Sequence, residues 1–261
     1  VKVTLDLLTF AAIGALQGIL EWLPVSSEGQ ISMLLAGPLR VPPAEAISLA
    51  LWLHLGTALA ASAYLRKSIS QIARSLLGDG DRELTVFIAV GTAFTAISGL
   101  PSYALSMKIG TLSELSLLTP ALLLVVGVLI AISQRVSSAS SQPGPVEAGA
   151  IVGLLQGFAA IPGVSRSGIT YAGLILLGYD AEEALRHSFL LSIPASLGAA
   201  ALTALAGSIV LGPHLILAAA ASFASGIVMM HGMIKIARRV GLAQFAVSFG
   251  ILGILVALLT L

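Results

Sequence analysis

The chain contains no cysteine, which excludes disulfides, thiolate metal sites and cysteine nucleophiles. Charge is scarce too. Only 10% of the 261 residues are charged, against about 25% in a soluble domain. The few charges nearly balance at a net +1, so no nucleic-acid partner is expected. Four histidines, His54, His187, His214 and His231, are scattered without metal-ligand spacing, and each reads as a hydrogen-bonded helix residue. No polar stretch is long enough to form a soluble domain. The first apolar segment runs into Gln17, Glu21 and Pro24 without a small-x-small cleavage site, so a cleavable signal peptide is not expected.

What is present in quantity is hydrocarbon: 57% of residues are hydrophobic. An all-α, multi-pass membrane protein follows, as a single integral-membrane domain over 1–261. Apolar segments fall near 5–23, 44–65, 84–106, 115–133, 149–161, 169–178, 183–206, 211–234 and 243–261. Six are long enough to cross a bilayer, which takes about 20 residues. The arms 149–161 and 169–178 are too short, and Pro162-Gly163 breaks the chain between them, predicting a re-entrant hairpin. A second hairpin is predicted at 5–37, broken at Pro24 and ending in Gly37-Pro38.

The basic residues predict an orientation. Arg66, Lys67, Arg74 and Arg82 form one loop and Lys235, Arg238 and Arg239 another, both cytoplasmic by the positive-inside rule. Threading the spans outward from these puts Arg135 and Arg186 inside as well. Lys2, Arg40 and Lys108 fall outside, and Arg166 lies within the membrane. The hairpin at 5–37 then enters from outside and that at 149–178 from inside.

The two hairpins are variants of one pattern. At a shift of 139, Gly14 meets Gly153, Gln17 meets Gln156, Gly18 meets Gly157, Ser26 meets Ser165 and Gly29 meets Gly168. Gly56 meets Gly198 at a shift of 142. Repeat one is expected at about 1–133, repeat two at about 148–261, with the Ser-rich linker 134–147 between them. Three full spans separate the copies, so the second is inverted and the hairpin tips meet near the midplane. Transporters place their binding sites at such an interface.

The tips carry the chemistry. An arginine at membrane depth costs roughly 2.5–3.5 kcal/mol on insertion scales, so Arg166 needs a function and a partner. Its fork suits phosphate or carboxylate. Ser165, Ser167 and Thr170 add hydroxyl donors, and a helix restarting after each tip offers free N–H groups to an anion. The blander reading is that Arg166 only pairs with Glu21 to pin the halves. Glu21, one turn after Gln17, is a candidate general base or divalent-cation ligand, or only the counter-ion of Arg166. Ser26 and Ser27 supply a nucleophile or merely cap a helix. Glu28 is expected at a solvated rim, with a second cation ligand as the alternative. Gln30 can hydrogen-bond but not transfer a proton. Gly14-x-x-x-Gly18 and Gly153-x-x-x-Gly157 read as helix-packing motifs. Tyr171 is either packing or a further phosphate donor, and Pro194 is expected to kink its helix.

Both motifs resemble those of the integral-membrane undecaprenyl-diphosphate phosphatase family of the bacitracin-resistance type. The first reads Gln17 to Glu21, then Pro24-Val25-Ser26-Ser27-Glu28-Gly29-Gln30. The second runs from Pro162 to Thr170, and His54-Leu55-Gly56-Thr57 and the basic turn Lys235 to Arg239 extend the likeness. The resemblance implies an inverted-repeat helical fold with two re-entrant hairpins, often dimeric, in the plasma membrane, with its active site open to the outer face. It implies release of the terminal phosphate from a polyprenyl diphosphate with Mg²⁺ or Ca²⁺ support, recycling the lipid carrier for cell-envelope glycan synthesis. Glu21, Ser27 and Arg166 would be catalytic. Gln17, Ser26, Gln30, Ser165, Ser167 and Thr170 would bind substrate, and Glu21 would hold the cation with the substrate diphosphate. The chain departs from the pattern at Gln30, where the family has histidine, and at Glu28, where it has a small residue. Glu21 or Glu28 is expected to take over the proton work. The departure points to a divergent, archaeal branch using a dolichyl-type lipid. The competing functions are a flippase for a lipid monophosphate and a small-anion transporter using the same anion site without chemistry.

Overall fold

Helix boundaries follow local chemistry throughout the computed structural model. It describes residues 6–79, 82–136, 142–207, 212–239 and 242–260, with side chains described except at 233–239 and 260. Lys2, the serine-rich middle of the linker at 137–141 and the side chains of Lys235, Arg238 and Arg239 lie outside the described residues. Asp6 caps α1 (Leu7–Leu20) by accepting from Thr9 N–H at 2.7 Å. After the first tip come α2 (Ser27–Ala36) and α3 (Pro43–Tyr64), whose proline sits in the first turn, where its missing N–H is harmless. Next are α4 (Arg66–Leu76), α5 (Arg82–Ser106) and α6 (Leu112–Val136). The second tip lies between α7 (Pro145–Gly157) and α8 (Arg166–Leu176). Asp180 caps α9 (Ala181–Leu205), and α10 (Pro213–Arg239) and α11 (Leu242–Thr260) complete the chain.

Among the described residues, 6 stretches are long and apolar enough to cross a membrane, in α3, α5, α6, α9, α10 and α11. The tip helices do not: α1 and α7 have 14 and 13 residues and α2 and α8 have 10 and 11. At 1.5 Å per residue the longest is about 21 Å, short of a hydrocarbon core of about 30 Å.

One expectation is corrected. The basic stretch expected as a loop from Arg66 is largely a helix, α4. Ile69, Ile72, Ala73, Leu76 and Leu77 recur at helical spacing and give it an apolar stripe, while Arg66, Lys67 and Arg74 supply its basic character. Leu76 and Leu77 are exposed, as suits a helix lying at a bilayer interface. Arg186 of α9 ties it down, donating to Ser68 Oγ at 3.0 Å.

The packing is carried largely by a few helix pairs. α1 lies on α10 as α7 lies on α5, α3 packs against α9, and α6 against α11. The small residues set the closeness. A Cβ added at Gly14 would fall 2.0 Å from the Ala218 carbonyl oxygen, and one at Gly153 would fall 2.3 Å from that of Gly91. No side chain fits either place, so both helix pairs approach backbone to backbone. Pro194 lies inside α9, which runs unbroken from Ala181 to Leu205.

Candidate active site

The first tip begins where α1 stops. Pro24 cannot donate a helical bond, and Ser26 takes up φ 58° and ψ 73°, a left-handed conformation that costs a non-glycine residue about 1–2 kcal/mol. The other tip holds it there: Ser26 Oγ accepts from Gly163 N–H at 3.0 Å. Its hydroxyl therefore does not cap α2, and the first N–H groups of that helix stay uncapped by its own N-terminal side chain. The second tip passes through a 3₁₀ turn at Phe158–Ala160, Pro162 and Gly163. Gly163 has φ 104°, and a Cβ there would meet the Thr119 carbonyl oxygen at 2.5 Å, so glycine is required on both counts. Ser165 caps α8, accepting from Gly168 N–H at 3.3 Å. Ser167 Oγ donates to Leu23 O at 3.0 Å. Each tip is thus braced by a serine bond to the other.

Between them lies a buried carboxylate. Glu21 is 4% exposed. Its Oε1 accepts from Arg166 Nη2 in an ion pair. Its Oε2 accepts from Ser27 Oγ at 2.6 Å and Gln17 Nε2 at 2.8 Å, and faces His54 Nε2 at 3.2 Å. The His54 ring is fixed from behind by Nδ1, 2.9 Å from Ala50 O. Arg166 also stands over the Trp22 ring, 5.9 Å from its centroid, where the ring face favours a cation. Trp22 is itself pinned by its Nε1 donating to Gly226 O at 3.1 Å and by the edge of Phe189. The remaining terminal nitrogen of Arg166, Nη1, is buried without an acceptor.

Glu21, Ser26, Ser27, Ser165, Arg166 and Ser167 all line one small polar cavity. The other expected residues stand elsewhere. Gln17 is fully buried behind Glu21, which it orients. Thr170 Oγ1 bonds Ser188 Oγ at 2.6 Å and Arg166 O at 2.8 Å, holding the first turn of α8 rather than facing the cavity. Gln30 donates to Val25 O at 3.2 Å and supports the turn of the first tip. Tyr171 is a core residue.

Two residues join the site that sequence reasoning set aside. His54, read as an ordinary helix residue, is delivered by α3 to within contact of Glu21. The signal was available in His54-Leu55-Gly56-Thr57, but nothing local ties that stretch to the tips. Glu28, expected at a solvated rim, is 5% exposed, and its Oε1 has no partner. Position two of α2 turns it inward, because the left-handed Ser26 sets where that helix starts.

The polar cavity is about 20 Å³, room for about one water. It adjoins a larger cavity of about 240 Å³ between α3, α5, α7 and α9, and Glu28, His54, Ala159 and Arg166 line both. The larger space is walled mostly by small and apolar side chains such as Ala96, Leu100, Ala195 and Leu202. A hydroxyl hydrogen-bonded to a buried carboxylate, an arginine fork with a spare donor and an uncapped helix N-terminus are together the donors that an anion takes, set beside a group that could act as a nucleophile.

The chain is 36% identical over 254 residues to an undecaprenyl-diphosphatase of Methanococcoides burtonii, covering 93% of this chain and 95% of that one. It is 38% identical over 262 residues to one of Haloarcula marismortui, covering 95% and 96%. A third, of Methanopyrus kandleri, is 37% identical over 262 residues, covering 97% of each. The family model described as bacitracin resistance protein BacA matches residues 10–255, a stretch that takes in both tips, the Arg166–Glu21 ion pair, five of the six membrane-length helices described and most of the sixth, α11, and this multi-pass membrane protein belongs to that family.

Proposed function

We propose that this chain is a membrane phosphatase that hydrolyses a polyprenyl diphosphate, of undecaprenyl or dolichyl type, to the monophosphate, recycling a lipid carrier for cell-envelope glycan synthesis. The observation that carries the reading is the buried, acceptor-free Nη1 of Arg166, set beside a serine already hydrogen-bonded to a carboxylate. Arg166 and the N-terminus of α2 bind the terminal phosphate. Ser27 Oγ attacks its phosphorus while its proton passes to Glu21. The bond to the bridging oxygen breaks, and the lipid leaves as the monophosphate. Water then releases phosphate from Ser27. Donors already aimed at the phosphoryl oxygens stabilise the charge of the transition state.

A divalent cation has a fitting donor here. Among the described residues no three His, Asp or Glu side chains converge as a ready ligand set, so the ion would share substrate oxygens. Both oxygens of Glu21 are engaged, whereas Glu28 Oε1 is buried and free, a hard oxygen of the kind Mg²⁺ or Ca²⁺ takes. Bound there, the cation would neutralise phosphate charge as a Lewis acid.

The tip helices serve as two re-entrant hairpins of an inverted repeat. The corresponding pairings of α1 with α10 and α7 with α5 support that reading. The site opens in the outer half of the plasma membrane. Both α5 and α9 begin at the basic end, and the cavity residues Gly99, Tyr103, Gly198 and Leu202 fall late in each. The dimer belongs to the same proposal. A carrier of lipid phosphates would use the same anion site. The Ser27–Glu21 bond favours hydrolysis, because a carrier has no use for a hydroxyl presented to a base.

The test is phosphate release from a long-chain polyprenyl diphosphate by purified protein with Mg²⁺. Release that disappears in Glu21→Ala is expected. Specific binding of the lipid phosphate with no release by the unaltered protein would leave a carrier.

A further inference from the structure

Gly56 in α3 and Gly198 in α9 stand at corresponding places in the two halves, 142 positions apart. Their surroundings differ. A Cβ added at Gly56 would lie 2.3 Å from the Ala219 carbonyl oxygen and 2.7 Å from Ser222 Cβ, so α10 closes onto α3 there. A Cβ added at Gly198 would meet nothing within 4 Å. α9 stands off α5 where α3 sits tight on α10, and the resulting gap is the cavity of about 240 Å³.

That cavity has two distinct ends. One is the polar site, through the shared side chains of Glu28, His54 and Arg166. The other is a lip on the outside of the bundle, where Gly198 is exposed and Leu100 is 51% exposed. The polar side chains of Glu28, Thr92, Thr95 and Gln156 line it as well, so it is not simply a packing gap among hydrocarbon side chains. Its contents must be polar at the inner end and apolar toward the lip. A diphosphate joined to a prenyl chain has that polarity. The volume is below the roughly 300–1,000 Å³ of pockets that enclose drug-sized ligands. It therefore holds only the isoprene units nearest the phosphates, and a longer chain must leave through the lip.

We infer that the lipid chain passes from the active site into the bilayer between Gly198 and Leu100, and that the absence of a side chain at Gly198 is what admits long-chain substrates. The inference rests on the site taking a polyprenyl diphosphate. Gly198 is the specificity-determining position, because a Cβ there would meet no atom within 4 Å and a larger side chain would extend into the lip.

The experiment compares Gly198→Leu and, from the facing wall, Leu100→Phe with the unaltered protein, using geranyl diphosphate and a C55 polyprenyl diphosphate. Val228→Phe, at an exposed position on α10, serves as control, and size-exclusion profiles check folding. The expected result is a KM for the C55 substrate raised at least about tenfold, with kcat and the KM for geranyl diphosphate unchanged. Equal losses for both chain lengths in well-folded variants, or no change for either, would overturn the inference. Binding of C10 and C55 monophosphates is measured in parallel. If the unaltered protein hydrolyses nothing, yet Gly198→Leu selectively weakens C55 binding, the phosphatase reading fails and the exit path stands.

Discussion

Arg166 and Glu21, 145 residues apart in sequence, form an ion pair in which Glu21 is buried and Arg166 largely so, and which leaves one guanidinium nitrogen without an acceptor. Breaking such a pair strands a charge at a cost of about 3–5 kcal/mol. Arg166→Ala should therefore lower thermal stability in detergent and cut phosphate release by about 10²–10³-fold. Removing both charges, as Arg166→Met with Glu21→Gln, should restore much of the stability and none of the activity. Melting curves and phosphate release on the three proteins check this. Restored activity in the double variant would remove the pair from the chemistry.

The two serines of the first tip separate by role. Ser27→Ala should abolish turnover while costing little stability, and a phosphoserine at position 27 should be detectable by mass spectrometry after rapid quenching. Near-normal turnover in Ser27→Ala would assign the attack to water. Ser26→Ala loses the bond to Gly163 but keeps the left-handed backbone, and should cost about 1–2 kcal/mol. Ser26→Gly loses the same bond but relieves the backbone, so it should melt higher than Ser26→Ala.

Glu28 is the carboxylate with an oxygen to spare. Chelation should abolish phosphate release, and Glu28→Gln should raise the Mg²⁺ concentration for half-maximal rate about tenfold while approaching the normal rate at saturation. An unchanged Mg²⁺ dependence would move the cation elsewhere.

The cysteine-free sequence makes the orientation directly measurable. A single cysteine at Lys108 should react with a membrane-impermeant maleimide in intact cells. One at Arg74 or Arg135 should react only after the membrane is opened. The opposite pattern would invert the topology and place the site's opening on the inner side.

Much of the architecture was legible because hydrocarbon length is a local property. The six membrane-length segments and the two breaks at Pro24 and Pro162-Gly163 appear within a few residues of their expected bounds. The helix at Arg66–Leu76 was not, because its charges masked an apolar stripe that only a helical period brings to one face. Glu28 was misplaced for a different reason. Its direction depends on the left-handed turn at Ser26, which a hydrogen bond to the other tip maintains.

The sequence by itself determined that this chain lives in a membrane, where its helices break at the two proline tips, and that a lone arginine there needs an anionic counterpart, since each follows from the restrictions on proline and the cost of polar groups in hydrocarbon. It did not determine that His54 would reach Glu21, that Gln30 would turn to Val25 O, or that Gly56 would be closed over while Gly198 stays open. Those were decided by how α3, α9 and α10 settle against the tips. Contacts between segments a hundred or more residues apart depend on the packing of whole helices, and no short-range pattern encodes that.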